Sequence, residues 1–217
     1  QGAATIALWD VATGKQVPRF RPSKSEAMSV VFTPDNKRLI SGGSDGSIQL
    51  WDVETGQEIR LIGQAKGWAF KVALSPDGKT VAAAGNDMAV RLWEVETGKE
   101  IGQFPHKPVR PFPGITGGVA FTSDGKKLVT GGTDRMVRIW DLATAKELLS
   151  IEGGVPPIAL SPDNRTLAMT GRDYSLRLWD VPSGKGLPTP GGPRNEIYSL
   201  AVSPDGKTTG LGVRDEF

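Results

Sequence analysis

The strongest constraint on this chain is a tryptophan followed by an acid that returns at a nearly fixed interval. The pair stands at Trp9-Asp10, Trp51-Asp52, Trp93-Glu94, Trp140-Asp141 and Trp179-Asp180, in steps of 42, 42, 47 and 39 residues. A second series, TPDN, SPDG, TSDG, SPDN and SPDG, puts its aspartate at 35, 77, 124, 163 and 205. From that aspartate to the next tryptophan the interval is 16 in all four cases where both occur. Spacing held this firmly is the signature of a repeat architecture, in which one structural unit is copied and stacked.

Each copy reads as four short strands. The first alternates apolar positions, as in Val30 and Phe32, Val72 and Leu74, or Val119 and Phe121. A PDG or PDN turn follows, with proline early and a residue that tolerates positive φ at its end. After the second strand, Asp45, Asp87, Asp134 and Asp173 stand six residues before their tryptophans in a tight turn. The third strand ends at the tryptophan, and a turn such as VETG leads to the fourth. Both faces of the third strand are apolar, Trp51 on one and Leu50 on the other, so the sheet must be covered on both sides. Radial stacking achieves this and leaves only short protected edges, which predicts an all-β chain folded as a β-propeller of four-stranded antiparallel blades.

These motifs, above all SPDG at 75–78 and 203–206, SGGSDG at 41–46, IQLWD at 48–52 and VRIWD at 137–141, resemble the WD40 repeat family along essentially the whole chain. The density of SPDGK and WDVxTGK resembles repeats common in bacterial members. The resemblance implies a buried tetrad within a blade, made of a His, a Ser or Thr, the turn Asp and the Trp. Ser41, Asp45 and Trp51 match three of its members, as do Thr130, Asp134 and Trp140. Ala83 and Met169 replace the hydroxyl residue in the other two copies, leaving Asp87 with Trp93 and Asp173 with Trp179. The only histidine, His106, lies in an insertion, so every tetrad is expected to be incomplete. Independently of any family, four carboxylates at matching turns read as backbone acceptors rather than catalytic acids or metal ligands.

Composition removes several classes of chemistry. Twenty-six Lys and Arg against 24 Asp and Glu leave a net charge of +2, which predicts neither a nucleic-acid nor a membrane partner. Cysteine is absent, which excludes disulfides and thiolate catalysis, and one histidine cannot build a histidine cluster. No cofactor, metal site or catalytic constellation is expected. No signal or transmembrane segment is visible in the chain, and its compartment stays open.

From each tryptophan to the next turn aspartate the distance varies, at 26, 26, 31, 23 and 26 residues, so length variation belongs to the loops joining successive blades. Variable loops on a rigid frame are where binding concentrates. The longest, Gly102 to Thr116, presents His106, Lys107, Arg110 and Phe112, and Trp68 precedes the first strand of the blade before. Together these five are the candidate contact patch for a protein or peptide. The bland reading sets Phe104 and Phe112 as anchors of the loop, Trp68 as a cap on the core and His106 as an exposed loop residue. Arg91, Arg138 and Arg177, each two residues before a tryptophan, are expected to pack along the blade with their heads toward water or the turn aspartates.

The expected function is therefore a non-catalytic scaffold that binds a protein or peptide on the variable-loop face. A glycan or small-ligand propeller, and a fragment or engineered propeller whose interest is blade assembly, stay open beside it. Asp205 to Asp215 spans the same ten residues as Asp77 to Asp87, so the last copy stops after two strands, while the first begins near Ala3 with only its third and fourth. Residues 1–217 thus read as one domain of five blades, one of them shared by both ends. The competing reading is part of a larger propeller that self-associates. Glu216-Phe217 is also the pair that an in-frame restriction site encodes, so a cloning scar there stays open as a minor alternative.

Overall fold

The computed structural model describes residues 6–17, 25–107, 116–189, 196–203 and 205–213. The first sheet contains β1 (Ala27–Phe32), β2 (Arg38–Gly43), β3 (Ser47–Asp52) and β4 (Glu58–Gln64). The second contains β5 (Ala69–Leu74), β6 (Thr80–Gly85), β7 (Ala89–Glu94) and β8 (Glu100–Pro105). The third runs β9 (Thr116–Phe121), β10 (Lys127–Gly132), β11 (Met136–Asp141) and β12 (Glu147–Glu152). The fourth runs β13 (Gly154–Leu160), β14 (Thr166–Gly171), β15 (Leu176–Asp180) and the short β16 (Lys185–Leu187), and a fifth holds only β17 (Ile197–Val202) and β18 (Thr209–Val213). All ladders are antiparallel in sequence order, and no helix occurs among the described residues.

The register repeats from sheet to sheet. Leu39 pairs with Trp51, Val81 with Trp93, Leu128 with Trp140 and Leu167 with Trp179. The S/T-P-D signature explains part of this regularity. In every copy the hydroxyl two residues before the aspartate donates to it, from Thr33 to Asp35 at 2.5 Å through Ser203 to Asp205 at 2.6 Å. That hydroxyl bond is the main reason each of these carboxyls lies below its ordinary pKa. The next residue takes positive φ, from 57° at Asn36 to 73° at Gly78, as the turn chemistry requires.

Packing between sheets accounts for the core. Ile40, Ile48, Leu50 and Ile62 of the first sheet meet Val72, Val81, Ala83 and Trp93 of the second. The same positions join the second to the third through Leu92, Phe104, Leu128 and Trp140, and the third to the fourth through Val137, Ile139, Leu167 and Met169. Each such large side chain contributes roughly 1.5–3 kcal/mol by leaving water. First strands pack in series, β1 on β5, β5 on β9, β9 on β13 and β13 on β17. All five surround a cavity of about 300 Å³ bordered by Ser29, Lys71, Gly118, Ile158 and Ser199.

At the start of the chain, Ile6 and Leu8 pack on Leu39, Trp51 and Val53 of the first sheet, and Trp9 bridges to Gln16. They hold the place there that Ile48 and Leu50 hold against the second sheet. Met28, Val30 and Phe32, on one face of β1, remain exposed. No packing like that of the other first strands joins β17 to β1 among the described residues. Ala3, Asp215 and Glu216-Phe217 lie outside those residues.

Candidate functional site

The turns carrying Asp45, Asp87, Asp134 and Asp173 lie at the same end of the sheets as the segments that link one sheet to the next. Gln64 Nε2 donates to the Asp45 carbonyl at 2.6 Å, and the Trp68 backbone N–H donates to Asn86 Oδ1 at 2.8 Å. Each turn carboxylate accepts the N–H two residues on: Ser47, Ala89, Met136 and Ser175, at 2.9 to 3.4 Å. The aspartates thus fix their turns, as their repetition predicts.

His106 departs from its expectation. Rather than an exposed loop residue, it is buried, with its ring between Asp134 and Thr130. Nδ1 lies 3.0 Å from Asp134 Oδ1 and Nε2 lies 2.9 Å from Thr130 Oγ1, while Trp140 Nε1 donates to the same Thr130 oxygen at 2.8 Å. In the tautomer protonated on Nδ1, donation runs unbroken from Trp140 through Thr130 and His106 to Asp134. The tetrad of the third sheet is complete, which corrects the expectation that all would be incomplete. In the first sheet Trp51 Nε1 donates to Ser41 Oγ at 2.9 Å.

Sequence reasoning missed the histidine because a single His offers no second copy to set its register. The available signal was its distance from the next turn aspartate, and loop length makes that distance variable. A short backbone extension from β8 delivers it, with the His106 N–H bonded to the Met88 carbonyl at 2.7 Å. Burial pushes the Asp134 carboxyl up, but bonds and charge from His106 and Arg138 outweigh this and hold it at about 2.

The arginines go to the turn aspartates, one of the two destinations expected. Arg91 Nε meets Asp87 Oδ2 at 2.7 Å, and Arg138 Nη1 meets Asp134 Oδ2 at 2.7 Å. Phe104 anchors its strand, buried and edge-on to Trp140 with centroids 5.3 Å apart. Of the five contact candidates, Trp68 is 50% exposed and stands edge-on to Phe70 at 5.3 Å. Lys107 is exposed, its N–H on Asp134 Oδ2 at 3.2 Å. Arg110 and Phe112 lie outside the described residues. No group of three or more metal-ligating side chains occurs among those residues, nor does any helix long and apolar enough to cross a membrane.

Comparison with known families returns the WD domain, G-beta repeat, which matches residues 14–52, 57–94, 106–141 and 158–180, more than half of the chain. The chain belongs to the WD40 repeat family. No curated protein sequence matches it. The third WD40 match starts at His106, the residue that completes the tetrad. WD40 domains are in general non-catalytic scaffolds for protein interaction, and this chain shares their blade architecture.

Proposed function

We propose that this WD40 chain presents a protein- or peptide-binding surface at the loop end of its sheets, centred on Trp68 and Lys107, with Arg110 and Phe112 of the longest loop. The observation that carries the reading is Trp68. It is a large aromatic side chain left half exposed beside a turn whose backbone is fixed by Asn86 and whose ring is braced by Phe70. A large aromatic anchor of low conformational freedom is the kind of residue enriched in binding hot spots. His106 supports the surface from beneath by tying the base of the long loop to the third sheet.

Rigid presentation calls for a closed frame. The residues support one domain in which β17 and β18 supply the inner half of a blade whose outer half is the segment Ile6 to Gln16. Carried over from β2 and β3, the register would pair Thr209 with Trp9 and Gly210 with Leu8. The exposed row Met28, Val30 and Phe32 is the face such a blade would cover.

Affinity capture with the native chain, compared with a Trp68→Ala, Phe112→Ala variant of equal thermal stability, tests the binding surface. The variant is expected to lose the partners that the native chain retains. Recovery of an unchanged set of partners overturns the assignment.

A further inference from the structure

Within the repeat, the residue two before tryptophan is held from both sides. In the second sheet Arg91 lies between Asp87 and Glu100, each 2.7 Å away. In the third, Arg138 lies between Asp134 at 2.7 Å and Glu147 at 3.3 Å. The outer acid stands seven residues after the tryptophan in both. The first sheet keeps the same arrangement with an amide, Gln49 Nε2 donating to Glu58 at 3.0 Å.

The fourth sheet keeps the arginine and drops the acid, since the residue seven after Trp179 is Gly186. Arg177 retains only Asp173 as an ion-pair partner among the described residues, at 3.5 Å, and its side chain is 40% exposed against 7% for Arg91 and Arg138. The outer strand is also cut short. Arg91 and Arg138 face Gln103 and Ser150 across the ladder, whereas β16 ends its pairing at Leu178 with Leu187. A cavity of about 330 Å³ opens at this point, bordered by Ser175, Arg177, Leu178, Gly186, Leu187 and Thr189. A Cβ on Gly186 would meet nothing within 4 Å, so the space of the missing side chain is free.

We propose that this cavity is a carboxylate-binding site, in which a ligand carboxylate occupies the position that Glu100 and Glu147 hold in the neighbouring sheets. A guanidinium fork pairs with a carboxylate through two parallel bonds, and a site already shaped for a glutamate side chain selects an acid on a short aliphatic arm. Asp173 orients the fork without enclosing it, Leu178 and Leu187 border the cavity where the arm would lie, and Thr189 brings a hydroxyl to its edge. The chemistry is met by the glutamate of an extended peptide or by a free dicarboxylic acid. No residue of this site belongs to the Trp68 and Lys107 surface, so the two assignments stand or fall separately.

The test follows the arginine Nε–H resonances by NMR while sodium glutarate is added, and in a second arm while an acetylated, amidated peptide of one glutamate flanked by alanines is added. The Arg177 resonance is expected to shift saturably in the millimolar range while those of Arg91 and Arg138 stay fixed. Tighter binding of the peptide than of glutarate identifies a peptide ligand, and equal or weaker binding identifies a free acid. Gly186→Glu supplies the repeat's own carboxylate, so it should abolish both titrations and raise Tm. In Arg177→Gln the backbone amides of Gly186 and Leu187, which should follow both titrations in the native chain, should stay fixed with the fold intact. An Arg177 resonance that does not move, or a saturable shift that survives in Gly186→Glu, overturns the proposal.

Discussion

His106 shows what one side chain can settle. Its ring bridges the loop after β8 to the turn and strand of the following sheet, so removing it unties two elements at once. His106→Ala leaves Thr130 and Asp134 short of a partner in a buried site and should cost about 1–3 kcal/mol in urea denaturation. Asp134→Ala should cost at least as much, because it removes the acceptor facing His106 Nδ1 and leaves Arg138 with Glu147, at 3.3 Å, as its remaining ion-pair partner. The acid limb of stability belongs to the same carboxyl. Its pKa in the fold, about 2, lies below the ordinary 3.8, so its contribution is complete above the unfolded value and is lost as pH falls through the folded one. Urea midpoints of the native chain should therefore fall more steeply between about pH 4 and pH 2 than those of Asp134→Asn. The Asp, Thr and Trp of this network were legible because each recurs elsewhere in the sequence. The histidine was not, since its partners come from a sheet that begins a full loop later.

At the scale of the element, the strands were legible wherever two signals agreed: alternation of apolar residues and a turn motif at fixed distance. In the first sheet the third strand, predicted to end at the tryptophan, is observed as Ser47–Asp52, and the fourth, predicted after the VETG turn, as Glu58–Gln64. The segment Thr209 to Phe217 offers few β-branched residues and no clear alternation, yet Thr209–Val213 forms β18. Pairing with β17 supplies there what local preference does not, since Leu200 and Val202 dictate the ladder. The brevity of β16 was equally hidden, because a Gly in place of a Glu changes neither the spacing nor the tryptophan. Close approach between sheets also left no periodic mark. A Cβ on Gly63 of β4 would sit 2.5 Å from Trp93 Nε1 in the next sheet. Gly63→Ala must displace that indole, and a loss of about 1–3 kcal/mol by thermal or chemical unfolding is expected.

For the whole molecule, stacking was legible because a sheet apolar on both faces has few other solutions, whereas the number of sheets that close a ring is not encoded in any single repeat. The proposed shared blade makes a specific prediction in a chain without cysteine. Leu8→Cys combined with Gly210→Cys should form a disulfide within one molecule on mild oxidation, visible as faster migration on a non-reducing gel and reversed by reductant. Crosslinked dimers in its place would assign the blade to two copies, and the absence of any crosslink would remove the register.

Among the described residues the sheets pack in series, each against the one before and the one after it. Cohesion in such a row depends on how many flanks a member has, much as a book at the end of a shelf falls first. The two-stranded sheet beside the fourth, completed in the proposed ring only by the short segment Ile6 to Gln16, should exchange its amide protons soonest, and the second and third sheets, gripped on both sides, should hold theirs longest.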